Sequence, residues 1–349
     1  LFEDVDCSIF VVIYEDLSIV LNGIIIKMIL KSMLLILFKM SMTKQNEGKI
    51  NLGLCCINTE LRKKNIFNSR NTIRRTFSID RAKELALQNV KDLIPMIEYN
   101  YKNKINCFRW SSDMFPHFTD TETEKYTIDF CEDELKKAGD LAKKYNQRIV
   151  MHPGQYNQVG AKNSKVFEKT LQDLEHHANI LDKAGIDENG VLIVHGGGIY
   201  GDKDSTKRRW VEQFDELPKC VKKRLVIENC EKCYYLRDAL DIAQQCKIPV
   251  VYDCHHYLCY RILHPDENLE KATEMMDEVV ESWGNKKFLC HVSSQGEGKI
   301  GHHADYIHTL PSHMIKIPEK YRIDIDIEVE AKMKEKAIFK LKQQYPELF

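Results

Sequence analysis

From Lys49 to the C-terminus, short β-branched or apolar runs alternate with longer amphipathic stretches, and this alternation restricts the fold more than any other feature of the chain. The runs are INLGLCC from Ile50, INCFRWSS from Ile105, RIVMHP from Arg148, VLIVHGG from Val191, RLVIEN from Arg224, PVVYDCHH from Pro249, FLCHVSS from Phe288 and RIDIDIEVEA from Arg322. Between them lie RAKELALQNVKDLIPMIEYNYK from Arg81, DELKKAGDLAKKYN from Asp133 and KVFEKTLQDLEHHANILDKAG from Lys165. Their apolar residues recur every three or four positions, the period of a half-buried helix. Eight strand-helix units predict an α/β fold closed as a (β/α)8 TIM barrel, because crossover helices would cover every outer face of a parallel sheet.

Nearly every run ends on a polar residue: Arg109, His152, His195, Glu228, Asp253 with His256, His291 and Glu330. In a parallel barrel all strand ends of one sense open on one face, which is where such folds place active sites. These residues therefore converge in one bowl. The stretch VVYDCHH, Val250 to His256, shows the tension best, since an apolar run closes on a carboxylate and two imidazoles. Each such group costs on the order of several kcal/mol if buried without a partner, and a metal ion partners both kinds. Many imidazoles with a few carboxylates suit a site of more than one ion. Paired divalent ions promote phosphodiester hydrolysis, and they also polarise the hydroxy-carbonyl of a sugar during isomerisation, so residue types alone leave both reactions open.

The chain of 349 residues, 43% hydrophobic and 30% charged, suffices for one large core. Its formal charge of -1 gives no overall positive field, which neither demands nor excludes DNA. Twelve cysteines without compact even spacing, among them the isolated CEKC at Cys230 and Cys233, fit reduced thiols in an intracellular protein. The apolar stretch from Leu21 to Met40 is interrupted by Lys27 and Lys31, which argues against a membrane span and against a stable membrane partner. Residues 1–41 read as an extension outside a catalytic domain of residues 42–349.

At FRWSSDMFPH, HPGQY, HGGGIYGDK, VIEN, DCHH, HADYI and EAKMKE the sequence resembles the UV damage endonuclease family, relatives of endonuclease IV among the xylose-isomerase-like barrels. The resemblance runs from about Asn51 to Lys342. It implies a monomeric enzyme with three divalent ions, Mn2+ foremost, with Zn2+ or Mg2+ as alternatives. Such an enzyme incises damaged double-stranded DNA immediately 5′ of pyrimidine dimers, 6-4 photoproducts and other distorting lesions or abasic sites, leaving a 3′-hydroxyl. By the same resemblance His152, His195 and Glu228 hold one ion. Glu228 bridges to a second, bound also by Asp253, His291 and Glu330, and His256 with His303 takes the third, His302 being able to stand in. His117 and Lys203 lie near the scissile phosphate with Glu228 as catalytic residues, and Asn58, Arg109, Gln155 and Tyr156 meet the DNA or its lesion. A sugar isomerase or epimerase of the same barrels is the competing reading.

Two positions depart from the family pattern. Leu289 stands where the family has a lysine two residues before the strand-seven histidine, which leaves the third ion to water, His302 or a lysine such as Lys287. Leu54 stands where a tyrosine is usual, so one lesion-probing aromatic is missing.

Overall fold

The computed structural model describes Met33 and residues 48–349. The eight runs form β1 (Ile50–Cys55), β2 (Cys107–Trp110), β3 (Arg148–Met151), β4 (Leu192–His195), β5 (Leu225–Glu228), β6 (Val250–Asp253), β7 (Phe288–Val292) and β8 (Ile325–Val329). Each pairs in parallel with its sequence neighbour, and β8 returns to β1, closing the expected barrel. The strands are shorter than the runs because the residues after His195, Glu228 and Asp253 already belong to loops or to a helix start.

Local chemistry sets the helices. Helix Ile79–Lys91 starts at Ser78, whose side chain accepts the Arg81 amide, and helix Ser164–Lys183 starts at Asn163 in the same way. Helix Glu132–Lys144 places Glu132, Asp133 and Glu134 in its first turn and Lys143 and Lys144 in its last, each matching the local end of the helix dipole. The long periodic stretch from Arg81 is two helices, not one. It breaks at Asp92, and the second helix, Leu93–Lys102, carries Pro95 in its first turn, where the missing N–H costs nothing within a helix that starts there.

Inside the barrel, β8 sends acids inward at alternate positions. Asp326 accepts from Arg148 at 3.0 Å and from Asn51 at 3.0 Å near the N-terminal ends of the strands. Glu328, one layer higher, is fully buried and paired with Arg109. Gly53 on β1 lies beside it, and a Cβ there would come within 3.2 Å of Glu328 Cγ and 3.0 Å of Cys107 Cβ, so a side chain would crowd this layer.

Contacts divide the chain between Gly48 and Lys49. The expectations for residues 1–41 and for the apolar stretch at 21–40 lie, apart from Met33, outside the described residues. Among the described residues no helix is long and apolar enough to cross a membrane.

Candidate metal centre

Strand ends deliver the donors. His195, Glu228 and Asp253 are the last residues of β4, β5 and β6, His152 and Glu330 follow β3 and β8 directly, and His291 lies one residue before the end of β7. Asp253 then caps the helix Cys254–Leu263, which places His256 in that helix's first turn. At the centre stands the fully buried Glu228. Its Oε2 is 3.0 Å from His152 Nε2 and 3.6 Å from His195 Nε2, while its Oε1 is 3.0 Å from His291 Nδ1 and 3.2 Å from His256 Nδ1. Three groups have donor atoms within 4.8 Å of one another: His152, His195 and Glu228; Glu228, Asp253 and His256; Asp253, His291 and Glu330. Glu228 and Asp253 are each shared by two groups.

Asp253 provides the test of fit for an ion. Its Oδ1 accepts the amides of His255 and His256, both at 2.7 Å, which is the helix cap. Its buried Oδ2 has no hydrogen-bond partner among the described residues and faces His256 Nδ1 at 3.8 Å and His291 Nδ1 at 3.9 Å. A carboxylate oxygen buried without a donor is costly, and a divalent cation among these groups would satisfy it. The donor set fits. This also resolves VVYDCHH: one oxygen of Asp253 shapes the backbone turn and leaves the other for an ion.

The electrostatics agree. Burial disfavours the Glu228 charge, but the His291 and His195 imidazoles around it hold its carboxyl well below the usual range. Burial likewise opposes a charged His291, yet the Glu228 carboxylate prevails and raises it to about 10. Burial pushes His256 down, Asp253 pushes it up, and Asp253 with Glu228 wins. The carboxylates that favour a proton on His291 and His256 would equally favour a cation among them.

Other expected site residues sit differently. Arg109, expected to meet DNA, turns inward: its side chain is 9% exposed and its guanidinium binds Glu328 at 2.7 Å and Glu330 at 2.6 Å. Asn58 is buried and caps helix Thr59–Lys63 by accepting the Leu61 amide at 2.9 Å. Lys203 is no free charge, since its Nζ donates to Asp238 at 2.9 Å and Tyr260 at 2.8 Å. His117 has both ring nitrogens engaged, Nδ1 with Asp120 at 3.1 Å and Nε2 with the Thr72 carbonyl at 2.8 Å. His256 joins Glu228 and Asp253 rather than His303, whose Nε2 stays 3.8 Å from Glu330 and outside the three groups. His302 is exposed, its Nδ1 3.2 Å from the Glu297 carbonyl. Lys287 precedes β7 and lies at the opposite barrel mouth near Arg148, where it cannot replace the absent lysine. Leu289 and Leu54 are fully buried in the core.

Gln155 and Tyr156 project from the turn after β3 and are exposed, Tyr156 by 63%. The Tyr156 hydroxyl donates to Asp173 at 3.2 Å, and the same buried carboxylate holds Asn157 at 2.7 Å and Thr119 at 2.8 Å, so an exposed ring is fixed from below. Tyr156 and His117 flank one cleft of about 300 Å³, with Arg74 and Lys169 on its walls. Glu328 is the residue that sequence reasoning missed. Its signal was present in the IEVE alternation, which puts it on the same strand face as Glu330.

The UV-endonuclease UvdE family matches residues 50–348. A UV DNA damage endonuclease of Bacillus cereus (strain B4264) is 30% identical over 266 residues, covering 75% of this chain and 82% of that protein. The crystal structure of SacUVDE superposes with a TM-score of 0.74 at 27% identity, over 86% of this chain and 99% of that one. Endonuclease IV from Thermus thermophilus shares the fold, with a TM-score of 0.52 at 12% identity over 86% of this chain and 99% of its own. A match along the whole described barrel, with candidate metal ligands at the C-terminal ends of its strands, makes this chain a member of the UV-endonuclease UvdE family and a DNA repair endonuclease.

Proposed function

We propose that the protein is a metal-dependent endonuclease that incises duplex DNA immediately 5′ of UV photoproducts and leaves a 3′-hydroxyl. The observation that carries the reading is the unpartnered Oδ2 of Asp253, a residue shared by two of the three donor groups. Three divalent ions are the proposed complement, Mn2+ first among them. His152 and His195 with Glu228 hold one, Glu228 with Asp253 and His256 a second, and Asp253 with His291 and Glu330 a third. When bound, such ions supply a water of lowered pKa and positive charge for both the attacking and leaving oxygens of a phosphodiester.

The chain's own residues do the rest. Glu228 and Asp253 spread their charge over neighbouring groups and keep positive charges close together. Gln155 and Tyr156 lie beside the ligand His152 on the exposed turn, in place to test the stacking of a duplex. A lesion lowers the cost of opening a base step, so such a probe converts deformability into selectivity. The paired Lys203 and His117 act as supports of the rim rather than as free phosphate ligands. Family membership favours this reading over a sugar isomerase. The substrate is damaged double-stranded DNA, the working unit a monomer inside the cell.

The test uses protein stripped with chelator, a labelled duplex carrying one defined photodimer, and Mn2+, Zn2+ or Mg2+ added singly. A nick immediately 5′ of the dimer, dependent on added ion and absent from undamaged duplex, is expected. Nicking that persists without ions, or no nick with any of them, would overturn the proposal.

A further inference from the structure

We infer that Glu328 is a positioning residue that selects the ring form in which His291 can meet a metal ion, and that Arg109 holds Glu328 in place for it. The inference rests on the reading of His291 as a ligand.

The two nitrogens of His291 face different surroundings. Nδ1 looks toward the proposed ligands, with Glu228 Oε1 at 3.0 Å, Glu330 Oε1 at 3.7 Å and Asp253 Oδ2 at 3.9 Å. Nε2 looks down into the barrel, with Glu328 Oε2 at 3.0 Å and Arg109 Nη2 at 3.1 Å. A neutral imidazole carries one N–H. For Nδ1 to offer a lone pair to an ion, the hydrogen must sit on Nε2 and needs an acceptor there.

Arg109 cannot be that acceptor, because a guanidinium only donates. Left alone beside Nε2, it would donate to that nitrogen and drive the hydrogen onto Nδ1, where it would block an ion. Glu328 reverses the outcome. Its carboxylate takes Arg109 Nε at 3.2 and 3.1 Å and Nη2 at 2.7 Å, and among the described residues its Oε2 is the acceptor that faces Nε2. Arg109 spends its remaining nitrogen on Glu330 Oε1, at 2.6 Å, so one buried cation steadies a carboxylate in each of two layers.

The strands are arranged for this contact. Glu328 is the direct register partner of His291 across β7 and β8. On its other side β1 supplies Gly53, where any side chain would press on Glu328 Cγ. Leu289, two residues before His291 on β7, is buried and offers no acceptor, so the carboxylate comes from the neighbouring strand. A buried ion pair adds little stability against an apolar alternative, which leaves orientation of His291 as the return for burying these charges.

The experiment compares the parent with E328Q and E328M, all stripped of metal. Zn2+ affinity is measured by competition with a chromogenic chelator, and nitrogen NMR of the zinc-loaded, 15N-histidine-labelled protein reads which ring atom binds. Gln keeps a carbonyl acceptor for Nε2–H and Met does not. E328M should lose about 10- to 100-fold in affinity at one ion, as loss of such supporting hydrogen bonds commonly does, and E328Q should lose less. In the parent and E328Q, His291 should be zinc-bound at Nδ1 and protonated at Nε2. Parent-like affinity in E328M, or zinc on Nε2 of the parent, overturns the inference.

Should E328M fail to fold, R109M/E328M removes both buried charges and is measured instead. Weaker binding than the parent is expected from its unpaired Nε2–H, and unchanged binding overturns the role. A parent that binds zinc in the stated way but never nicks photodimer duplex would sink the nuclease reading and leave this one standing. A parent that nicks with zinc held through Nε2 would do the reverse.

Discussion

Glu228→Gln is the perturbation on which the proposed centre depends most. The amide has nearly the shape of the carboxylate, so the fully buried position stays filled and only charge and one acceptor are lost. Each oxygen of Glu228 faces two imidazoles at 3.0 to 3.6 Å, and the residue belongs to two of the three donor groups. One unit charge acting on another about 4 Å away, at an effective dielectric of about 20, is worth about 4 kcal/mol. At about 1.4 kcal/mol per decade, each unit of facing positive charge then loses roughly a thousandfold in affinity. The variant should retain fewer ions per chain after dialysis, by elemental analysis, and nick a photodimer duplex at about a thousandth of the parent rate or less. Its cooperative thermal unfolding should survive. A Gln variant with the parent's ion content and nicking rate would refute a bridging role for Glu228.

The metal-free protein should lose stability as pH rises. His291 is lifted from 6.5 to about 10, burial opposing and Glu228 prevailing, so its contribution is complete below 6.5 and is lost as pH climbs through about 10. Glu228 and Glu330 are lowered, and their contribution, present above the ordinary carboxylate range, does not change in this window. Melting temperature in chelator should therefore fall from about pH 7 to about pH 9, and saturating Zn2+, which displaces the proton, should flatten the slope; parallel curves would count against ligation by His291. Replacing Gln155 and Tyr156 together by Ala should leave ion content and melting near normal while preference for damaged over intact duplex collapses, since both are exposed; an unchanged preference in a nicking assay would move lesion reading elsewhere. Asn58→Ala should cost about 0.5 to 2 kcal/mol in urea unfolding through loss of the helix cap, with damage preference intact.

The barrel was legible because eight apolar runs alternate with helical periods, and the strand-end donors were legible because six of the eight runs close on one. His152, His195, Glu228, Asp253, His256, His291 and Glu330 all enter the three groups. Side-chain direction was less legible. Arg109 ends a run as the ligands do, yet whether its long side chain reaches for solvent or folds inward depends on Glu328 and Glu330, 219 and 221 residues away. His117 and Lys203 look free in sequence, yet Asp120 three residues on and the distant Thr72 engage His117, and Asp238 and Tyr260 from other segments engage Lys203. Asn58 carried a local signal that was not used, since an Asn followed three residues later by a buried Leu at a helix start reads as a cap. His303 shows the remaining limit, because a loop places it beside Glu330 and no strand period fixes its distance.

Everything proposed for this centre depends on cations gathered by the strand-end carboxylates and imidazoles. Crystals grown with Mn2+ and measured on both sides of the manganese absorption edge locate those cations directly. Anomalous peaks are expected among the three donor groups, with Asp253 Oδ2 and the Glu228 carboxylate each within bonding distance of manganese. A map with no manganese bonded to either carboxylate would contradict the proposed centre.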